Sequence, residues 1–402
     1  MEDWKEYKLG EVGKITTGKT PKTAIKDYYG GNIDFVTPAD INTPYKYISK
    51  TERHLTEMGL DSIVSNSIDE GSICVSCIGN IGYAGIVKLR CASNQQINSI
   101  TVSEYFDRDF IYYSIKNLWS FFKNYEGQST TVSILNKGHF ANISIKCPSL
   151  DTQKKIASIL SSLDDKIECN RKINENLEAQ AQALFKSWFV DFEPFRNGPF
   201  IDSELGPIPQ GWRVATLGQV TTSLNNKVKD RTDVKVLSPV TTGELVLSED
   251  YFTKQVFSES IAKYIIVHPG EFAYNPARVN IGSIGMNTFD FDGCVSPVYV
   301  VFKCEDNYCY FFDIFKSTTL FKEEVKMRAI GGVRQTLGYK DFSMVKVVYP
   351  PIDVIVKFNQ IYIKMIKVKS KNDKENCRLA ELRDALLPKL MSGELKLSDV
   401  EL

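Results

Sequence analysis

The chain has 402 residues, 43% hydrophobic and 24% charged, an ordinary globular make-up in a length that calls for two or more domains rather than one core. Lysine plus arginine and aspartate plus glutamate number 49 each, so no global field draws in nucleic acid; a DNA partner would need local basic surfaces or help from partner subunits. The start, Met1 to Gly10, is charged rather than signal-like and no run of about 18 apolar residues follows, so we expect a cytoplasmic protein with no membrane partner.

In chain order, residues 1–150 read as a strand-rich globule. Period-2 or continuous apolar runs broken by Gly and Asn, such as "QINSITV" at 96–102, have strand character. Nine cysteines at irregular spacing do not suggest a disulfide framework. Cys74 and Cys77 form the only C-x-x-C, and with no second pair they read as strand thiols rather than a zinc or redox site. His54, His139 and His268 are too scattered to suggest a metal centre, so no metal is expected.

Residues 151–192 predict one long helix. From Ile156, steps of four and three visit Leu160, Leu163, Ile167, Asn170, Asn174, Leu177, Ala181, Leu184 and Trp188, a heptad seam with two asparagines in it. Segment 193–210, dense in Pro and Gly, reads as a linker. A second strand-rich globule, with "GCVSPVYVVF" at 293–302, fills 211–350. A second helix and tail occupy 351–402. Its seam runs Phe358, Tyr362, Met365, Lys369, Asn372, Asn376, Leu379, Arg383, Leu386 and Leu390, and is the more polar of the two. Asp151 and Asp353 suit helix starts, and Gly393 a helix end.

The halves repeat each other. Pro148 and Asp151 stand 202 residues before Pro350 and Asp353 (350 − 148 and 353 − 151). The same offset matches Leu135, Phe140, Asn170 and Asn174 to Leu337, Phe342, Asn372 and Asn376. Upstream the register drifts, with "GNIGYAG" at 79–85 facing "VNIGSIG" at 279–285 and "YKLGEV" at 7–12 facing "ATLGQV" at 215–220. A helix of roughly 40 residues spans about 60 Å, longer than a small domain is wide. Asparagines at matched seam positions act as register devices, so an antiparallel pairing of the two helices would make a spacer with a pseudo-twofold axis.

No catalytic constellation stands out. There is no G-x-x-x-x-G-K-[ST] phosphate loop, and "YNPAR" at 274–278 lacks the second proline and the aromatic of an adenine methyltransferase motif. Polar loops remain. The first globule offers Lys19, Lys22, Gln128, Ser129, Thr130 and Lys137. The second offers Lys227, Lys229, Arg231, Arg278, Asn280, Arg334, Gln335 and Lys340. Arg and Lys match guanine acceptors, Gln and Asn can pair with adenine in the major groove, and Lys, Ser and Thr suit phosphates.

The whole chain resembles the specificity subunit of Type I restriction-modification systems. The likeness is carried by "LSSLDDKIECNRKINENLEAQAQALFKSWFVDFEPF" (160–195), "LGPIPQGW" (205–212) and "LRDALLPKLMSGEL" (382–395). The resemblance implies an α+β fold of two target recognition domains, each reading one half of a bipartite double-stranded DNA site, with the antiparallel helices as coiled-coil spacer. It further implies a non-catalytic chain in phage defence, docked to two modification (methyltransferase) subunits that use S-adenosylmethionine and to restriction (translocase/nuclease) subunits that use ATP and Mg2+, with no cofactor of its own. On that reading the aromatic run Trp188, Phe189, Phe192 and Phe195 packs partly on a recognition domain and partly against a modification subunit, the alternative for each ring being plain intramolecular core. The rival from another class is a duplicated protein–protein adaptor that scaffolds two partners without reading DNA.

Overall fold

The computed structural model describes residues 4–127, 132–252, 257–329 and 336–395. The chain forms two compact units, Met1–Ile173 with Lys371–Leu402, and Asn174–Ser370, so each unit takes part of both long helices.

The first unit holds a strand pair, Lys5–Lys8 with Ser144–Cys147, and two sheets. The larger has the order Gly13–Thr17, Ile97–Val102, Ile73–Ser76, Ala84–Val87, Tyr47–Ile48; the smaller sets Tyr29–Val36 between Arg53–Leu55 and Ala92–Ser93. The second unit repeats the plan. Arg213–Thr216 pairs with Lys346–Tyr349, and one sheet runs Thr221–Leu224, Val300–Cys304, Phe272–Tyr274, Ile284–Met286. In its other sheet Lys235–Pro239 meets Gly293–Val295 in parallel and Leu245–Leu247 antiparallel, as Tyr29–Val36 meets Ala92–Ser93 and Arg53–Leu55. The fold class is α+β, and the duplication extends to strand order and direction.

The repeated motifs have local physical reasons. In "LGEV" and "LGQV" the Leu and Val are buried in the short helices Leu9–Val12 and Leu217–Val220. The Lys8 N–H donates to the Glu11 carboxylate at 2.7 Å, and the Thr216 N–H to the Gln219 side-chain carbonyl at 2.8 Å, satisfying a helix-start donor in each case. The glycine between them lets another backbone approach: a Cβ at Gly10 would lie 3.3 Å from the Ala141 oxygen and one at Gly218 3.2 Å from the Ser343 oxygen. In "NIGYAG" and "NIGSIG", Gly82 and Gly282 adopt φ of 93° and 97°, a region that L side chains rarely adopt.

The long helices are Leu150–Phe189 and Ile352–Ser392. In the first unit Ile156 and Leu160 join Leu387, Leu390 and Met391 over the aromatic core of Phe110, Tyr112 and Tyr113. There the segments run antiparallel, with Asp164 opposite Arg383 and the Asn170 amide donating to the Asn376 carbonyl at 2.9 Å. In the second unit Phe185 and Phe189 pack against Phe311 and Phe358, and Glu178 faces Lys369, again antiparallel. Of the expected seam, Ile156, Leu160, Leu163, Ile167, Asn170, Asn174, Phe358 and Asn372 are buried, while Leu177, Leu184, Met365, Asn376, Leu379 and Leu386 are half-buried. Toward the end of the second helix the buried row moves one residue, to Leu387, because that turn packs onto the globular core as well as onto the other helix.

Segment 193–210, expected as a linker, is more structured than its composition suggests. Phe200–Ile201 pairs with Ile208–Pro209 as a small antiparallel ladder, and Ile208 and the following Trp212 are buried in the second unit's core. Pro and Gly there turn a short hairpin instead of loosening the chain.

Candidate nucleic-acid interface

In the first unit, strand pairing places the end of Gly13–Thr17, the start of Ile97–Val102 and the end of Ile73–Ser76 side by side, with Thr17 opposite Asn98 and Ser76 opposite Ile97. Loops from this edge are tied together by hydrogen bonds. Thr17 Oγ1 donates to Asn98 Oδ1 at 2.6 Å, Asn98 Nδ2 to the Leu135 carbonyl at 3.3 Å, and the Leu135 N–H to the Cys77 carbonyl at 2.8 Å. Lys19 and Lys22 rise exposed from the loop after Thr17, and exposed Lys137 follows the bound Leu135. The fold therefore gathers these three lysines around one edge. Gln128, Ser129 and Thr130 lie outside the described residues.

The second unit builds the same edge. Leu224 is opposite Val301 and Tyr274 opposite Val300, and the Leu337 N–H donates to the Pro276 carbonyl at 3.0 Å, the counterpart of the Leu135 bond. Exposed Arg278 and half-buried Asn280 sit in the loop after Tyr274; exposed Lys340 lies in the short helix Tyr339–Phe342 next to Leu337. Lys227, Lys229 and Arg231 follow strand Thr221–Leu224 and run beside Ile265, where Lys227 forms an isolated bridge. Lys229 is exposed at a φ of 56°. Arg231 differs from the rest: Asp233 and Asp292 bind its guanidinium at 2.5 and 2.8 Å, and Asp292 also holds His268 at 2.7 Å, so its charge is balanced locally. Arg334 and Gln335 lie outside the described residues.

Two features of the first edge escaped the sequence reading. Asn94, Gln95 and Gln96 stand in the loop before Ile97; Thr20 Oγ1 donates to Gln95 Oε1 and Asn94 Nδ2 to Gln96 Oε1, each at 2.9 Å. The run "SNQQ" was the available signal, since side-chain amides are the groups that pair with adenine. Beside the edge, exposed Trp119 carries the Lys123 ammonium 4.3 Å above its ring and meets Tyr83 edge-on.

The aromatic run packs inside the second unit. Phe189 touches Trp212, Phe311 and Phe358; Phe192 and Phe195 meet Trp212 edge-on; Trp188 lies near Phe358. Burial pushes the Cys77 thiol up to about 11 and Cys91 to about 12, and raises Cys74 as well, so these sulfurs stay protonated at neutral pH. Among the described residues no group of three or more His, Cys, Asp or Glu could hold a metal ion, and no helix is long and apolar enough to cross a membrane.

This is a duplicated α+β protein that presents the same loop edge twice, and comparisons with known proteins define its class as a DNA specificity module. The family model described as the Type I restriction modification DNA specificity domain matches residues 1–179. The MjaIX specificity subunit of Methanocaldococcus jannaschii is 30% identical over 418 residues, covering 99% of this chain and 95% of that protein. The HindI specificity subunit of Haemophilus influenzae is 24% identical over 482 residues, covering 98% and 100%. In fold the chain is similar to the S subunit of a Type I restriction-modification system from M. genitalium, with a TM-score of 0.58 at 15% identity over 97% of this chain and 96% of that one. The chain belongs to the family of Type I restriction enzyme specificity subunits and serves as the DNA-recognition subunit of such a system.

Proposed function

We propose that each unit reads one half of a bipartite double-stranded DNA site through its loop edge, and that the paired helices set the unread spacing between the halves. The observation that carries this reading is the edge built twice, with exposed Lys19, Lys22 and Lys137 in one unit and Arg278 and Lys340 in the other. Cations at such an edge suit phosphate oxygens and guanine acceptors; Asn94, Gln95, Gln96 and Asn280 supply amides. Linking the two units in one chain makes the second contact effectively intramolecular, which raises affinity without new contacts.

In this reading the chain performs no chemistry. Two modification subunits bring S-adenosylmethionine, restriction subunits bring ATP and Mg2+, and the assembly works on DNA in the cytoplasm. Net charge near zero fits a subunit whose partners supply much of the electrostatic grip on the same DNA.

The test is a genome-wide map of modified adenines in cells carrying this chain and its cognate modification subunit, against cells lacking this chain. The expected result is a two-part motif with a fixed unread spacer. A contiguous motif would overturn the two-unit geometry.

A further inference from the structure

The second helix seam contains an arginine where an apolar residue belongs, and its surroundings say why. Arg383 and Asp164 are both buried, with Nη1 of the one 2.5 Å from Oδ1 of the other. The other oxygen of Asp164 accepts from the Tyr113 hydroxyl at 2.6 Å, and Tyr113 belongs to the globular part of the first unit. One turn away, the buried Lys46 ammonium binds Asp109 at 3.0 Å and Ser161 at 2.8 Å. A single carboxylate on the first helix therefore joins the second helix to the recognition globule.

The repeat has no such pair. At the 202-residue offset Asp164 corresponds to Ile366 (164 + 202) and Arg383 to Ala181 (383 − 202). In the second unit these residues line a cleft of about 140 Å³, together with Tyr362 and Asp313.

The asparagines do not fix the helix register alone. Sliding one helix by four residues, about 6 Å, sets Asn170 against Asn372 in one direction and Asn174 against Asn376 in the other, so an amide pair survives either slip. The ion pair does not survive. The same slips put Asp164 opposite Leu379 or Leu387, and they put Arg383 opposite Leu160 or opposite Glu168, which Arg171 and Lys88 already bind at 2.8 Å. Arg383 keeps its neighbour Asp384 at 2.8 Å on either slip, so the cost falls on Asp164, whose carboxylate would be buried against leucine without a cation.

We propose that Asp164, through Arg383 and Tyr113, is a positioning residue that selects one register of the helix pair, and so determines the length of the unread spacer. The inference rests on the bipartite reading above. Its test maps modified adenines for the full chain with its modification subunit, as wild type and as Asp164→Leu/Arg383→Met, a charge-free pair of similar volume. Both half-site sequences should persist in the variant while sites with a longer or shorter spacer rise by about tenfold, the factor that 1.4 kcal/mol of lost preference corresponds to. A folded, assembled variant with a bipartite motif and an unchanged spacer distribution overturns the inference. A wild-type map without a bipartite motif overturns the reading beneath it instead. Should the double variant fail to assemble, Asp164→Asn, whose single amide oxygen can serve Arg383 or Tyr113 but not both and which carries no charge, is scored in the same way.

Discussion

Cysteine shows how far environment sets the behaviour of one residue type in this chain. Cys169 and Cys377 are exposed on the long helices, whereas Cys74, Cys77, Cys91, Cys147 and Cys294 are buried. Burial raises all five, Cys147 to about 12 and Cys294 to about 11. Reaction with an alkylating reagent needs both access and thiolate. Brief treatment of the native protein with N-ethylmaleimide, followed by peptide mass spectrometry, should label Cys169 and Cys377 first and leave the five buried thiols unmodified until the chain is denatured. Early labelling of Cys74 or Cys77 would contradict the packing of that strand. That this C-x-x-C is a pair of buried thiols was legible because no second pair accompanies it; Cys74 lies in strand Ile73–Ser76 and Cys77 just past its end. The partner of Arg383 was not, since it lies 219 residues away and only the antiparallel register brings the two together.

Among elements, the long helices and the duplication were the most legible, because periodicity and repeated motifs are local in sequence. The hairpin in 200–209 was hidden by its own turn-rich composition, and the meaning of "NIGYAG" emerged only with its neighbours in place. There Gly82 combines a φ of 93° with a Phe122 ring carbon 2.4 Å from where a Cβ would be. Gly282 has a φ of 97° and would place its Cβ 2.7 Å from the Thr241 oxygen. Backbone strain of this kind costs about 1–3 kcal/mol, and overpacking adds a similar amount. We therefore expect Gly82→Ala and Gly282→Ala each to lower stability by about 2–4 kcal/mol. Chemical denaturation monitored by tryptophan fluorescence would measure it. A loss below about 0.5 kcal/mol, the range of ordinary surface substitutions, would mean that the turn relaxes freely.

At the scale of the molecule, the two units differ in the charges they bury although they share a plan. The first unit draws Lys46, Asp109, Asp164 and Arg383 into buried or part-buried ion pairs, whereas the matched helix positions of the second are Ala181 and Ile366. Burial alone would raise the Asp109 carboxyl, but Arg108 and Lys46 outweigh it and hold the group below its ordinary value. Glu168 behaves alike: burial raises it, and Arg171 with Lys88 lowers it further. The unfolded chain binds protons at these sites at higher pH than the folded one does. The stabilisation is therefore complete above the ordinary carboxylate range, about pH 4, and is lost as pH falls through the depressed folded values. Protonating Asp109 also strips the counterion from Lys46, whose side chain is wholly enclosed. The melting temperature should accordingly fall as pH drops below about 4. Asp109→Asn should lower it at pH 7 and flatten that decline, because the variant has already lost the charge that acid removes. An unchanged acid slope in the variant would place the acid sensitivity elsewhere, in carboxylates outside this network.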